Sequence, residues 1–327
     1  MKNKNQLQNP NLLRSFFSRP DSSAIIAVVL LVMTFSIFSD SFLTGENAFG
    51  LMRNGALYIF VGIGQAMALV VGDMNISLGA AGALATVTFG VCCQEFGMGI
   101  LPATIFTLLA GALTGFINSM IITKVRINSF VTTLATMFVY QGIANGISKG
   151  YPYTKLPEGI TAIGRGSVGV VPYLFIMAVA LLIIIALFFR YTVLGRQVLA
   201  TGGNREAARL SGIRTERIQV LCNTISGVFA AIAAILWISR LGSATPATGS
   251  DWMLISNAVA IIGGTALAGG VYTSVGFLCS GIMYAIIKNG LIMLKVNAYF
   301  EQTFLGVVIL LAVTLESVRT KYANSRK

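Results

Sequence analysis

Long apolar runs broken by short polar clusters set the pattern of this chain. A helix that crosses a hydrocarbon core of roughly 30 Å needs about 20 mainly apolar residues, and its backbone finds no water there to bond. Barrel strands would show short alternating segments instead, so continuous runs predict helices. Ten spans follow. Five lie near Ser22–Phe38, Gly55–Val71, Ile76–Gln94, Ile100–Thr123 and Ser129–Ile147. Five more lie near Val168–Phe189, Ile218–Ile238, Met253–Leu267, Thr273–Leu294 and Tyr299–Val318. The expected fold class is all-α, a polytopic membrane protein of about ten transmembrane helices. Residues 1–21 form an N-tail, 22–318 the transmembrane domain and 319–327 a C-tail. The first run follows Lys2, Lys4, Arg14 and Arg19 as a signal peptide would. No small-x-small cleavage site comes after it, so an uncleaved first helix is expected.

Glycines punctuate the spans. Gly111/Gly115, Gly142/Gly146 and Gly146/Gly150 have the four-residue spacing that lets helix backbones approach closely, and packing is their expected role. Two interrupted segments, 70–79 and 261–270, look alike at their glycines, as the two halves of a transporter core can.

Composition sharpens this picture. Charged residues make up 10% of the chain and mean hydropathy is +0.80, against about 25% charged in soluble proteins. No separate soluble catalytic domain fits. The net charge of +12 raises nucleic acid as a partner, but the basic residues stand in small groups beside apolar runs, which points to the lipid bilayer. With ten spans, 16 of the 23 Lys and Arg fall on the side of both tails, marking that side as cytoplasmic. The four cysteines, Cys92, Cys93, Cys222 and Cys279, lie in apolar segments without C-x-x-C spacing and read as small core residues.

The candidate chemistry begins in the hydrophilic loop 190–217. Gly202-Gly203-Asn204 reads as a turn, with Asn204 capping a short amphipathic helix over Glu206, Ala207, Ala208, Arg209 and Leu210 that ends near Gly212. Such a helix suits insertion into a partner; the alternative is a basic loop that serves orientation alone. Asp73 is the ionisable residue at the membrane edge, either a functional acid or a solvated carboxylate at the end of span two. Asn118, Tyr140, Gln141, Asn145, Asn223, Asn257 and Asn289 could line a polar path for a hydroxylated solute or join helices to one another. No G-x-x-x-x-G-K-[ST] loop occurs, so the chain lacks the usual ATP cradle. It has no histidine, which excludes an H-E-x-x-H metal site and a Ser-His pair. An aspartyl mechanism needs two carboxylates sharing a proton, and one is in place. An intramembrane enzyme is therefore disfavoured.

Four stretches, in order, resemble the permease subunits of sugar-type ABC importers, the family handling ribose, arabinose, xylose, galactose and autoinducer sugars. Gly202 through Ile213 resembles its coupling loop, and Gly72–Gly79 its Gly-x-x-Asp-x-Ser-x-Gly segment. Asn128–Gly146 resembles its Pro-Phe-x-x-Thr-Leu helix start, and Ala258–Leu294 its Gly-Gly-Thr-x-x-x-Gly-Gly segment with an Asn-Gly-Leu ending. Two departures stand out. Asn75 occupies the family's aspartate place, with Asp73 in a glycine place, and Ser129 occupies a proline place.

The resemblance implies a permease of the bacterial cytoplasmic membrane with both termini inside, translocating a small hydrophilic solute such as a monosaccharide. It implies no cofactor in this chain, ATP being bound by a separate ABC ATPase subunit. A second permease chain and an extracytoplasmic solute-binding protein are the other implied partners, with no nucleic acid. Gly203, Asn204, Glu206, Ala207, Ala208, Arg209 and Gly212 would couple to the ATPase. Asp73, Asn75, Tyr140, Gln141, Asn257 and Asn289 would serve the translocation pathway. The competing class is an ion-gradient-driven secondary transporter, which would use carboxylates in mid-membrane.

Overall fold

A computed structural model describes residues 22–295 together with 300, 303, 304, 306 and 307. The expected N-tail and C-tail lie outside the described residues, as does nearly all of the tenth span, Tyr299–Val318. The first nine expected spans each coincide with a helix: α1 Ser22–Phe38, α2 Gly45–Leu69, α3 Leu78–Gln94, α4 Ile100–Met120 and α5 Ser129–Ser148. A short α6, Thr161–Arg165, precedes α7 Tyr173–Tyr191. Then come α8 Val193–Gly203, α9 Arg205–Leu210, α10 Thr215–Leu241, α11 Trp252–Ile262 and α12 Ser274–Met293. Among the described residues, four stretches could each cross a bilayer alone by length and apolarity: Ile100–Val125, Tyr173–Tyr191, Thr215–Leu241 and Ser274–Met293.

Several boundaries differ from expectation for local reasons. α2 starts ten residues early because Thr44 caps it, its Oγ1 accepting from Asn47 N, with Glu46 in the first turn. α4 runs on through a π-helical stretch, Ile121–Val125, closed by Arg126 in the left-handed region. Span six begins at Tyr173 rather than Val168, because residues 167–172 make a two-stranded hairpin that ends at Pro172. Span eight is the largest correction. Its helix stops at Ile262, before Gly263-Gly264, and at 11 residues is about 16 Å long, too short to cross by itself.

The centre of the bundle is α2. Every residue from Gly55 to Leu69 is buried, which explains a segment apolar all round with Gln65 as its polar exception. α4 lies against α10 through small residues. A Cβ added at Gly115 would run into the Asn223 carbonyl, and one at Gly111 into the Gly227 carbonyl. Gly142 and Gly146 of α5, and Gly150 just past its end, instead meet nothing within 4 Å, so this repeat packs no described neighbour.

Of the two non-helical segments, the one between α2 and α3 is largely buried and the one between α11 and α12 partly so, which requires their buried backbone groups to find partners. Between α2 and α3, Met74 N donates to Ser129 Oγ (3.2 Å) and Ile76 N to Thr133 Oγ1 (3.1 Å), while Thr133 Oγ1 donates to Met74 O. Ser129, standing in the proline place, thus supplies an acceptor hydroxyl. Between α11 and α12, Thr273 Oγ1 donates to Gly263 O at 2.8 Å. The two segments meet where Gly270 N donates to Val70 O (2.9 Å).

Candidate coupling and translocation site

The loop 190–217 folds into a helical arm between α7 and α10. Thr192 caps α8, its Oγ1 accepting from Gly195 N at 2.9 Å. The expected turn at Gly202-Gly203-Asn204 is shifted: Gly202 and Gly203 form the last residues of α8, and the chain breaks at Asn204 alone, which is extended at φ −156° and ψ 103°. Asn204 Oδ1 accepts from Ala207 N (2.9 Å), so the expected cap is present and begins α9. Gly212 (φ +85°) ends α9: its N–H donates to Arg209 O and that of Ile213 to Ala208 O, a paired closure that needs a left-handed residue. Glu206, Ala207, Arg209 and Leu210 are exposed, and Ala208 is buried.

Beside the arm opens a cavity of about 770 Å³, walled by the α2–α3 segment, the end of α4, α8, α9 and the start of α10. Asp73 sits in its wall, 4% exposed rather than solvated. Gln219 Nε2 donates to both of its oxygens (2.9 and 2.7 Å) and Asn223 Nδ2 to Oδ2 (2.7 Å). Arg205 Nη2 lies 3.8 Å from Oδ1 and donates to Val71 O at 3.1 Å. A buried carboxylate needs such partners to keep its charge out of apolar surroundings. Arg126 and Arg209 line the same cavity, as does Glu216, which pairs with Lys124 at 3.5 Å.

Deeper in the bundle a chain of buried polar groups runs across α10, the α2–α3 segment, α4 and α5. Asn75 Nδ2 donates to Ser226 Oγ (2.9 Å), Ser77 Oγ to Asn75 Oδ1 (2.8 Å) and Asn118 Nδ2 to Ser77 Oγ (2.8 Å). The Tyr140 hydroxyl closes the chain, 3.0 Å from both Asn118 Oδ1 and Thr114 O. Gln65 lies between Asn75 and α11: in one orientation its amide nitrogen donates to Asn257 Oδ1 (3.1 Å), in the other to the Asn75 carbonyl (2.9 Å).

The expected pathway residues therefore divide. Asn75, Tyr140 and Asn257 belong to one network, and Asp73 lies beside it at the arm. Gln141 and Asn289 stand apart: Gln141 Nε2 donates to Pro246 O, and Asn289 Nδ2 to Asn47 Oδ1 at 2.6 Å, joining helices near the opposite end. Gln65, Ser77, Arg205, Gln219 and Ser226 are site residues that the sequence reading did not single out. Gln219, Asn223 and Ser226 repeat at four and three residues, one face of α10. That spacing was the available signal.

The comparisons agree with this architecture. The family described as "Branched-chain amino acid transport system / permease component" matches residues 47–313. The ribose import permease protein RbsC of Escherichia coli K12 is 30% identical, covering 93% of this chain and 97% of its own. RbsC of Bacillus subtilis 168 is 33% identical over 89% of this chain and 91% of its own. The autoinducer 2 import system permease protein LsrC of Photorhabdus luminescens is 26% identical over 95% and 94%. No solved structure matches. A helical bundle with two non-helical segments at its centre of contact, matched over most of its length, places the chain in the branched-chain amino acid transport system / permease component family: it is a membrane permease subunit, not an enzyme.

Proposed function

We propose that this chain is the permease subunit of an ABC importer for a monosaccharide or sugar-like solute, with the α8–α9 arm on the cytoplasmic side receiving a separate ATPase. The observation that carries this reading is the arm itself. α9 presents Glu206, Arg209 and Leu210 to solvent, while α8 ends against the two non-helical segments. A helix exposed to a partner on one side and joined to the membrane core on the other can convert closure of an ATPase pair into a change of access. Such a change needs a differential free energy between the two states, and ATP binding to the partner supplies it. The solute class follows the ribose and autoinducer relatives. A solute-binding protein on the opposite side and a second permease chain complete the assembly.

The ion-gradient alternative gains nothing from the geometry, since Asp73 already holds two amides and faces a guanidinium beside the arm. Glu206→Lys tests the proposal. The exposed substitution leaves the chain folded in the membrane but abolishes uptake and solute-stimulated ATP hydrolysis. Unimpaired coupling would remove Glu206 from the interface. Failure of any P-loop ATPase to co-purify with the wild-type chain, even after cross-linking at the arm, would overturn the ABC reading.

A further inference from the structure

Three separate segments converge where the arm enters the bundle. A Cβ added at Gly202 would run into the Val70 carbonyl and the Gly270 amide, so the last turn of α8 lies backbone to backbone against both non-helical segments. Those segments are themselves joined there, Gly270 N donating to Val70 O at 2.9 Å. One residue past the Asn204 break, Arg205 reaches back, donating to Val71 O (3.1 Å) and facing Asp73 at 3.8 Å. Asp73 in turn holds Gln219 and Asn223 of α10. Thus α9 is fastened to the α2–α3 segment by a side-chain tie, and α8 is seated on both segments by bare backbone.

We infer that Asp73 and Arg205 are positioning residues for transport, holding the arm, the α2–α3 segment and α10 together so that a displacement of α9 reaches the membrane core as one movement. This rests on the ABC reading above. The chemistry favours a strut over a latch. Asp73 is buried with its oxygens occupied, and the Gly202 seat has no side chain that could swing away. Without the tie, α9 can still engage the ATPase, but its movement is taken up at the Asn204 break.

The test is Asp73→Asn in the assembled importer. Asp73 is 4% exposed and lies off the solvent-facing side of α9, so the ATPase should still co-purify and hydrolyse ATP at its basal rate. Solute uptake should fall at least tenfold and solute stimulation of hydrolysis should disappear. Because a buried substitution can also disturb folding, a second variant carries the argument independently. Asp73→Cys with Arg205→Cys, in a background whose native cysteines are changed to Ala, should be uncoupled. A short bismaleimide joining the two positions should restore uptake. Wild-type uptake in Asp73→Asn, or a bridged pair that remains inactive while the ATPase is bound, overturns the strut. Uptake by the wild-type chain that persists without ATP overturns the ABC reading beneath it.

Discussion

A buried hydroxyl or amide in a helical bundle can line a path or hold helices together, and hydrogen-bond satisfaction separates the two. Tyr140 is 4% exposed, and its hydroxyl shares one proton between Asn118 Oδ1 and Thr114 O. Asn75 is 2% exposed with both ends of its amide engaged. Groups so occupied act as joints in this conformation. Tyr140→Phe leaves Asn118 Oδ1 without that donor and should cost about 1 kcal/mol of stability, the scale of a net hydrogen bond between membrane helices. Gln141→Ala, at a half-buried position one residue along, should cost close to nothing. Thermal unfolding in mild detergent measures both, and equal losses would contradict the distinction.

The same contrast recurs between elements, where two sets of glycines with one spacing do different work. Gly111 and Gly115 let α4 lie against α10, and Gly115→Ala would drive a methyl into the Asn223 carbonyl. Asn223 also holds Asp73, so that variant should lower the melting temperature and weaken the site together. Gly146→Ala meets nothing within 4 Å and replaces a poor helix former by a good one, a change worth up to about 1 kcal/mol in favour of the helix. A melt of the purified protomer should therefore rank Gly146→Ala at or above wild type and Gly115→Ala below it. The apolar runs announced the helices because lipid demands length and apolarity. They could not say which glycine stripe packs, since both stripes read alike until a neighbour is in place. They also failed at Gly263-Gly264, where apolar residues continue but the helix does not. The Asp73 site was half legible: an acid at the membrane edge was visible, with buried and solvated readings both open, whereas its partners Arg205, Gln219 and Asn223 come from distant segments that only the fold brings together.

For the whole molecule the open physical question is which end faces the cytoplasm, and charge and geometry bear on it separately. Arg126, Arg205 and Arg209 gather at the cavity beside the arm. The far end holds fewer basic residues, 7 of the 23 by the ten-span count, and they are tied locally: Lys288 pairs with Asp251 at 3.5 Å, and Arg165 donates to the Arg240 and Leu241 carbonyls. An excess of Lys and Arg belongs on the cytoplasmic side, and an arm that answers an ATPase must lie where ATP is. Both arguments give the same direction, and single cysteines test it. Leu210 at the tip of α9 and Val170 in the hairpin before α7 are 86% and 80% exposed, while Cys92, Cys93 and Cys222 are buried. In intact cells stripped of any outer envelope, a membrane-impermeant maleimide should label Val170→Cys above the background of the parent chain. Leu210→Cys should react only after the membrane is permeabilised. If Leu210→Cys reacts from outside and Val170→Cys does not, the arm faces away from ATP, and no ATPase could drive transport through it.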